Sequence, residues 1–286
     1  VQELIETGYL HNHARMWFAS IWIFTLGLPW QLGADFFLRH LLDGDPAANT
    51  LGWRWVAGLH TKGKTYLASA SNIRKCGAAR VASECNHDAG LARLATSAQP
   101  PEETLSPRAL QMQQVPWPAP YKAAGTDHGS VAVLLTEEDL ALDLPLSPGG
   151  AVALRPLPRS VVEPTSPQVQ QFGEAAVADA LSRAKTAFAS TLRAPFTLAA
   201  SAEEIVSWAE QHGFTEILCA YAPSGPVRQL MPQLVSRLAA RGIRLTEFMR
   251  DYDRLVWPHA QKGFFQLGKR IPDFLSAMEL GDGSSS

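Results

Sequence analysis

The pattern of hydrophobic residues divides the chain into two parts. In the N-terminal part the predicted helices are apolar on nearly all sides, and in the C-terminal part apolar runs alternate with amphipathic stretches. Within residues 1–75, the apolar runs lack a consistent polar face and are separated by glycine, proline and aspartate. Helices of this kind belong to the interior of a larger structure, because a surface helix keeps one polar side. The pattern predicts an all-helical segment with helices at residues 3–24, 32–42 and 47–59.

The C-terminal part, residues 129–278, alternates short apolar runs with longer amphipathic stretches. Ser201 and Glu204 have the spacing of a capping box at the start of one amphipathic stretch. This alternation predicts a Rossmann-like α/β domain with a parallel sheet and right-handed crossovers. The predicted strands are 131–135, 152–157, 196–198, 216–221 and 243–248, and the predicted helices are 169–188, 202–212 and 227–241.

Residues 76–128, which lie between these parts, have a different composition. Six prolines fall between Gln99 and Pro120, and proline-rich stretches form extended spacers. We therefore predict a linker here and a mixed fold overall: an all-α segment at 1–75, the linker, and the α/β domain at 129–278.

Composition excludes several classes of protein. The 286 residues are 46% hydrophobic and carry a net charge of −2, which excludes a disordered chain and a polycation. Three cysteines exclude a disulfide scaffold and a four-cysteine metal site. Cys76, Cys85 and His87 are spaced too irregularly to predict a metal site.

The longest apolar run, residues 17–30, is shorter than the roughly 20 residues of a membrane span. We therefore expect no membrane segment. Val1 opens inside a predicted helix with no secretory signal before it, so we expect it to be the cut end of a longer, cytoplasmic protein. The sequence does not indicate an oligomeric state.

Two polar groups in the helical segment are candidates for chemistry. Asn12 and Arg15 share a helix face, which suits a polar heterocycle or a phosphate, although this group by itself favours ordinary packing with its polar groups satisfied internally. Asp43 and Asp45 precede a predicted helix whose first turns contain Asn49. These acids fit two roles: capping the helix, or accepting hydrogen bonds from a cofactor.

Trp30, Trp53 and Trp55 are the third candidate group. A single tryptophan is usually a core residue. Trp53 lies one helical turn beyond Asn49, so its indole can reach whatever Asn49 contacts. Several indoles near one ligand also allow stepwise electron transfer.

Taken together, residues 8–55 resemble the FAD-binding core of the photolyase/cryptochrome family, with the family's spacing kept without a gap. After Trp55 the sequence departs from the family pattern, with residues 66–73 replacing an aromatic-rich segment. The resemblance is carried by Gly8-Tyr9-Leu10-His11-Asn12-x-x-Arg15-Met16, by Trp30, and by Asp43-Gly44-Asp45-x-Ala47-x-Asn49-x-x-Gly52-Trp53-x-Trp55.

The resemblance implies FAD as the cofactor and gives individual residues a role. Trp53 is similar to the tryptophan next to the flavin, Trp30 to the middle member of the electron-transfer chain, and Met16 to a residue that contacts the lesion. Asn49 corresponds to the residue that faces flavin N5. The residues implied to bind the cofactor are Asn12, Arg15, Asp43, Asp45 and Asn49.

The same residues indicate a lesion type. Photolyases for (6-4) lesions carry histidines at the positions of Asn12 and Met16, and plant-type cryptochromes carry an acid at the position of Asn49. The resemblance therefore implies blue-light-driven repair of cyclobutane pyrimidine dimers by electron transfer from reduced flavin. The full-length protein, if active, would be a deoxyribodipyrimidine photolyase-like lyase. The alternative is a cryptochrome-like light-sensing or redox flavoprotein without repair activity.

The resemblance also implies partners. DNA containing pyrimidine dimers is the expected substrate, and the basic residues that follow the motif either meet its phosphates or form a solvated loop. These basic residues are Arg54, Lys62, Lys64, Arg74 and Lys75.

The α/β domain more weakly resembles the antenna domain of the same family, which leaves room for a second, unidentified antenna chromophore. An unrelated Rossmann-like domain explains it equally well. No Gly-x-Gly-x-x-Gly follows a predicted strand, so no dinucleotide site is expected in this domain.

Overall fold

The computed structural model describes residues 1–60, 64–77, 117–122, 130–160, 162–260 and 264–280. Most of the predicted linker at 76–128, together with Lys62, Cys85 and His87, lies outside these residues. The chain forms two compact units. The first comprises Val1–Gln114, Arg155–Ala176 and Pro223–Met231, and the second Val115–Leu154, Val177–Ala222 and Pro232–Ser286.

In the part of the first unit that matters for the site, the regular structure of residues 1–60 and 64–77 is helical. Helix α2 runs directly into a π-helical turn at Ile21–Thr25. The helices are α1 (Gln2–Thr7), α2 (Asn12–Ser20), α3 (Trp30–His40), α4 (Pro46–Val56) and α5 (Ala70–Cys76).

The single helix predicted at residues 3–24 is wrong, because the chain breaks it near its start. Gly8 ends α1 in the left-handed conformation, at φ 67°, which glycine adopts without a steric penalty. His11 then begins α2, its side chain accepting a hydrogen bond from the backbone N–H of His13. The break turns α2 into a separate helix with its own N-terminus.

An aromatic core holds these helices together. Trp53 of α4 is 2% exposed and packs against Phe37 of α3, with ring centroids 5.0 Å apart, and against Phe18 of α2 at 6.2 Å. Burying rings of this size provides most of the driving force for packing three short helices. Helix α4 is fixed at its start by Asp45, whose carboxylate accepts from the backbone of Ala48.

The second unit contains a five-stranded, fully parallel sheet in the order β3-β2-β1-β4-β5, which confirms the predicted parallel sheet. Strands β1 and β2 are buried along their whole length and rich in alanine and valine, as expected for a sheet covered on both faces. The strands are β1 (Val131–Leu135), β2 (Gly150–Leu154), β3 (Thr197–Ala199), β4 (Glu216–Ala220) and β5 (Arg244–Phe248).

Helices connect most of these strands. The three predicted helices of this region are present, and shorter ones that the pattern did not predict follow β5. The connection from β1 to β2, residues 136–149, is described throughout and contains no helix. The helices are α6 (Pro167–Ala187), α7 (Ala202–Gln211), α8 (Gly225–Ala239), α9 (Asp251–Val256), α10 (Phe264–Gly268) and α11 (Ile271–Ala277), with a 3-10 turn at Trp257–His259.

Among the helices of the described residues, none combines the length and the apolar character that crossing a membrane requires.

Candidate functional site

A cavity opens between α2, α3 and α4 in the first unit. It has a volume of about 440 Å³, inside the range of about 300–1,000 Å³ that is usual for small-molecule sites. Each helix contributes one face, because residues three and four positions apart lie on the same side. The lining residues of α2 are Asn12, Arg15, Met16 and Ala19, and those of α4 are Ala48, Asn49, Gly52, Trp53, Trp55 and Val56.

Arg15 and Asp43 form the charged edge of this cavity. The Nη2 of Arg15 donates to both carboxylate oxygens of Asp43, at 3.0 and 2.9 Å. The Nε of the same guanidinium donates to the carbonyl of Leu10 at 2.8 Å, which fixes its plane. The side chain of Asp43 remains 60% exposed. The pair is therefore anchored on the protein side and open on the other.

Asp45 has a structural role that uses one of its two carboxylate oxygens. Its Oδ1 accepts from the N–H of Ala48 at 2.6 Å and caps α4. Within the described part of the chain, this is the hydrogen bond its carboxylate makes, so Oδ2 can accept from a ligand. The two readings of the acidic pair, capping and ligand binding, are therefore compatible in this residue.

The amide of Asn49 has a defined orientation. Its Nδ2 donates to the carbonyl of Ala34 at 2.8 Å, which ties α4 to α3. The amide therefore offers its Oδ1, a hydrogen-bond acceptor, to a ligand in the cavity.

Trp53 forms part of the cavity wall and carries a buried N–H. Its Nε1 lacks a hydrogen-bond partner among the described residues, and a buried donor in this state costs free energy until something accepts from it. A Cβ placed on Gly33 would lie 2.2 Å from Cη2 of Trp53. The benzo edge of the Trp53 indole therefore packs against Gly33 in the space that a side chain there would fill.

Trp30 is separated from the other predicted site residues. It is 9% exposed in the same core as Trp53, with the guanidinium of Arg54 5.7 Å from its ring centroid. It is not among the described residues that line the cavity. The other seven predicted residues all line the cavity: Asn12, Arg15, Met16, Asp43, Asp45, Asn49 and Trp53.

Trp22 is a neighbour of the site that the sequence analysis missed. Its ring meets that of Trp53 edge-on, with centroids 6.2 Å apart, and its Nε1 donates to the carbonyl of Pro29 at 2.9 Å. Trp22 lies seven positions after Arg15, on the same helical face, and this spacing is the signal that could have identified it. The same periodicity predicts Ala19, Gly52 and Val56 as lining residues.

The candidate basic and metal-binding residues are described in part, since Lys62, Cys85 and His87 lie outside the described residues. Among the described residues, no group of three or more His, Cys, Asp and Glu side chains is arranged to hold a metal ion. Arg74 and Lys75 lie in the last turn of α5, and Arg54 lies in the last turn of α4. Lys64 falls in an irregular stretch before α5.

Comparison with known proteins gives matches in the N-terminal region. Residues 1–82 match the model of a family described as the FAD binding domain of DNA photolyase. A deoxyribodipyrimidine photo-lyase of Streptomyces griseus is 48% identical over 61 residues, 21% of this chain and 13% of the relative. One of a Synechococcus strain is 40% identical over 77 residues, 26% of this chain and 16% of the relative. The Escherichia coli protein of the same name is 39% identical over 66 residues, 23% and 14% of the two chains.

The matched region therefore spans less than one-fifth of the length of these relatives. No solved structure matches the chain. Residues 1–82 are therefore similar to the FAD binding domain of DNA photolyase, in agreement with the resemblance to the photolyase/cryptochrome family seen in the sequence.

Proposed function

We propose that the cavity between α2, α3 and α4 binds FAD, and that the protein repairs cyclobutane pyrimidine dimers in DNA with blue light. The observation that carries this proposal is the convergence of seven residues, each expected from the sequence to serve the flavin or the lesion, around one cavity. The family match to residues 1–82 supports the choice of FAD. The proposal places the protein in the cytoplasm.

The residues around the cavity suit a flat heterocycle with polar edges. Phe37, Leu41 and Val56 provide an apolar wall, against which an aromatic ring system is desolvated favourably. Asn49 Oδ1 and Asp45 Oδ2 are acceptors for ring N–H or ribityl O–H groups. The buried N–H of Trp53 has no partner of its own, so an acceptor bound in the cavity relieves its desolvation cost.

FAD, when bound, reduced and excited by light, supplies the electron that splits the dimer and takes it back afterwards. The chain's own residues bind and orient the cofactor. Arg15 balances the charge of Asp43, so the cavity edge is close to neutral at the pair. Met16 and Asn12 give the lesion side a thioether and an amide rather than imidazoles. Among the described residues that line the cavity there is no histidine.

The proposal extends to the fold and role of the second unit. We take residues 129–278 to be a Rossmann-like, antenna-like domain, connected to the FAD-binding segment at 1–75 through the linker at 76–128. The parallel sheet with order β3-β2-β1-β4-β5 supports this reading. The missing helix between β1 and β2 separates it from a regular alternation of strands and helices. A second chromophore would be held in this domain.

The test is light-dependent repair. Purified protein is loaded with FAD, the flavin is reduced, and an oligonucleotide with a single thymine dimer is added in the dark or under blue light. We expect dimer loss only under illumination, and weaker binding of the oligonucleotide at high salt, because phosphate contacts release counterions. An FAD-loaded protein that leaves the dimer intact under light would overturn the repair activity.

The edge contact between Trp53 and Trp22 favours a second function, a light-sensing or redox flavoprotein without repair. Indoles in contact conduct a charge from a buried site toward the surface. In that case illumination of the FAD-loaded protein would reduce the flavin without any change in dimer DNA. Replacing Trp53 by Phe should then slow the light-driven reduction, which is followed by flavin absorbance.

A further inference from the structure

The end of α3 and the acidic turn that follows it are braced by a segment far along the chain, within the first unit. Arg159 donates from Nη1 to the carbonyl of Leu41 at 2.8 Å. The N–H of Ser166 donates to the carbonyl of Arg39 at 3.0 Å. Both acceptors lie in the last turn of α3 or just after it, where helical carbonyls have no partner within the helix. Arg159 and Ser166 therefore act as an external C-cap of α3.

The start of α6, which follows Ser166, contacts α1. Gln168 Nε2 donates to the carbonyl of Glu6, in the last turn of that helix, at 3.2 Å. Within the segment, the N–H of Arg159 donates to Oγ1 of Thr165 at 3.2 Å, which holds the loop in shape behind the guanidinium. Two helix ends are thus satisfied by one piece of chain that begins after β2.

The carbonyl of Leu41 is the point at which the acidic turn starts. It accepts from Arg159 and also from the N–H of Gly44 at 3.2 Å. A Cβ on Gly44 would lie 3.0 Å from Nη1 of Arg159, so the guanidinium lies directly against the turn. Arg15 holds the side chain of Asp43 from the other direction. One arginine therefore fixes the backbone of the turn, and the other fixes its carboxylate.

The charge of Arg159 also suits its place. A cation near a helix C-terminus interacts favourably with the helix dipole. The turn also carries the carboxylates of Asp43 and Asp45, which a guanidinium at its base attracts.

We propose that Arg159 is a positioning residue of the flavin pocket: it fixes the turn 41–45 so that Asp43 and Asp45 present their carboxylates to the cavity. This rests on the proposed function, since it assumes that the cavity binds FAD. It places a determinant of the pocket outside residues 1–82, the region that matches the family.

The test compares wild type with Arg159→Met, Arg159→Lys and the control Arg155→Met. Arg155 belongs to the same segment but pairs with Glu174 at 3.6 Å, away from the turn. FAD affinity is measured by quenching of flavin fluorescence. Hydrogen exchange of the 42–44 amides is measured without FAD, and thermal unfolding of each variant is recorded.

We expect Arg159→Met to weaken FAD binding about tenfold, the effect of losing a charged hydrogen bond that fixes the binding geometry. Exchange of the Gly44 amide should accelerate by a similar factor, because it donates to the carbonyl of Leu41 that Arg159 also holds. Arg159→Lys, which keeps a charged donor, should restore most of both. Arg155→Met should match wild type.

Equal FAD affinity and equal amide exchange in Arg159→Met and wild type would overturn the positioning role. Failure of wild type itself to bind FAD would instead overturn the proposed function, while the exchange data would still decide whether Arg159 holds the turn. Should Arg159→Met not fold, Arg159→Gln, which keeps a neutral donor, takes its place with the same expectation.

Discussion

Two acidic side chains, Glu216 in the second unit and Asp43 in the first, have opposite surroundings. Glu216, at the start of β4, is 5% exposed and its carboxylate accepts from Nε and Nη2 of Arg244 at 3.2 and 2.6 Å and from Oγ1 of Thr246 at 2.6 Å. Asp43, at the cavity, is 60% exposed and bonded on one side by Arg15. The carboxylate of Glu216 is buried and accepts three hydrogen bonds, whereas the carboxylate of Asp43 is bonded by Arg15 and otherwise exposed.

The apolar residues differ in the same sense. The core around β1 and β2 is built mainly from small aliphatic side chains such as Ala151 and Ala153, with one aromatic ring among its buried residues, that of Phe188. The helical core is built from large rings beside a cavity, and among the described residues the indole N–H of Trp53 in its wall lacks a partner. We take this unused donor beside a cavity as a mark of a binding site, and the fully bonded carboxylate of Glu216 as a structural contact.

The largest effect on stability is expected from a substitution of Glu216. Glu216→Ala should lower the free energy of unfolding by about 2–3 kcal/mol, because it removes three charge-assisted hydrogen bonds from a buried position while Arg244 can turn to solvent. Urea denaturation measures this. The control is Glu210→Ala, which breaks a surface pair with Arg241 worth less than about 1 kcal/mol. Equal losses in the two variants would contradict the contrast.

The next effect is at Gly33, where the aromatic core depends on a missing side chain. Gly33→Ala should destabilise by about 2 kcal/mol, because the new methyl group overlaps the indole of Trp53 and forces it to shift. Gly52→Ala is the matched control: it is also within a helix, but a Cβ there meets nothing within 4 Å. It should stabilise by about 0.5–1 kcal/mol through helix propensity. Thermal unfolding of both variants distinguishes them by sign.

A smaller effect on binding is expected at the open acid. Asp43→Asn should weaken FAD binding about tenfold through loss of the charged contact with Arg15, with little change in stability because the side chain is exposed. Asp35→Asn, which breaks the pair with Arg39 on α3 at a residue that does not line the cavity, is the control. Flavin fluorescence titration separates them, and an unchanged affinity in Asp43→Asn would remove Asp43 from the site.

The smallest effect concerns Asp253 in α9. Burial raises the pKa of its carboxyl, and Asp139 adds to this while Arg250 opposes it. Because the folded state favours the protonated form, ionised Asp253 costs stability at neutral pH. Asp253→Asn should therefore stabilise at pH 7, by less than about 0.5 kcal/mol because the side chain is partly screened by solvent. The gain should shrink as the pH falls through the raised pKa.

Asp251 provides the control for that comparison. Both acids lie in the first turn of the same helix, where an acid interacts favourably with the helix dipole, but Asp251 is exposed and Asp253 is partly buried. Asp251→Asn should give no gain at pH 7. Urea denaturation of both variants at pH 7 and pH 4 tests the difference, and a gain at Asp253 that does not depend on pH would contradict the burial argument.

The regular elements of the sheet could be predicted because each strand is a short apolar run between breakers. Strand β1 was predicted at its observed bounds, Val131–Leu135. Strand β2 was predicted two residues late, since it begins at Gly150, and glycine is a poor strand signal. The break at Gly8 was missed because a single glycine inside an apolar run does not by itself end a helix.

The cavity was predictable to the extent that it depends on spacing within one helix. Asn12, Arg15 and Met16 follow from α2, and Asn49 and Trp53 follow from α4. The contact of Arg159 with Leu41 was not predictable, because it joins residues far apart in sequence and involves a backbone carbonyl that no sequence pattern marks. The contact of Trp22 with Trp53 depends on the space left by Gly33, which only the packing of three helices reveals.

The most direct test of the proposed FAD site, the cavity between α2, α3 and α4, is the retention of FAD by the purified protein. The chain is incubated with FAD, separated from free cofactor by gel filtration, and its visible absorbance is recorded for wild type, Asp43→Asn and Glu216→Ala. The expected result is flavin bands with wild type and with the folded fraction of Glu216→Ala, and weaker bands with Asp43→Asn. Wild type that elutes without flavin bands, or bands that are lost equally in the two variants, would contradict the assignment of the cavity.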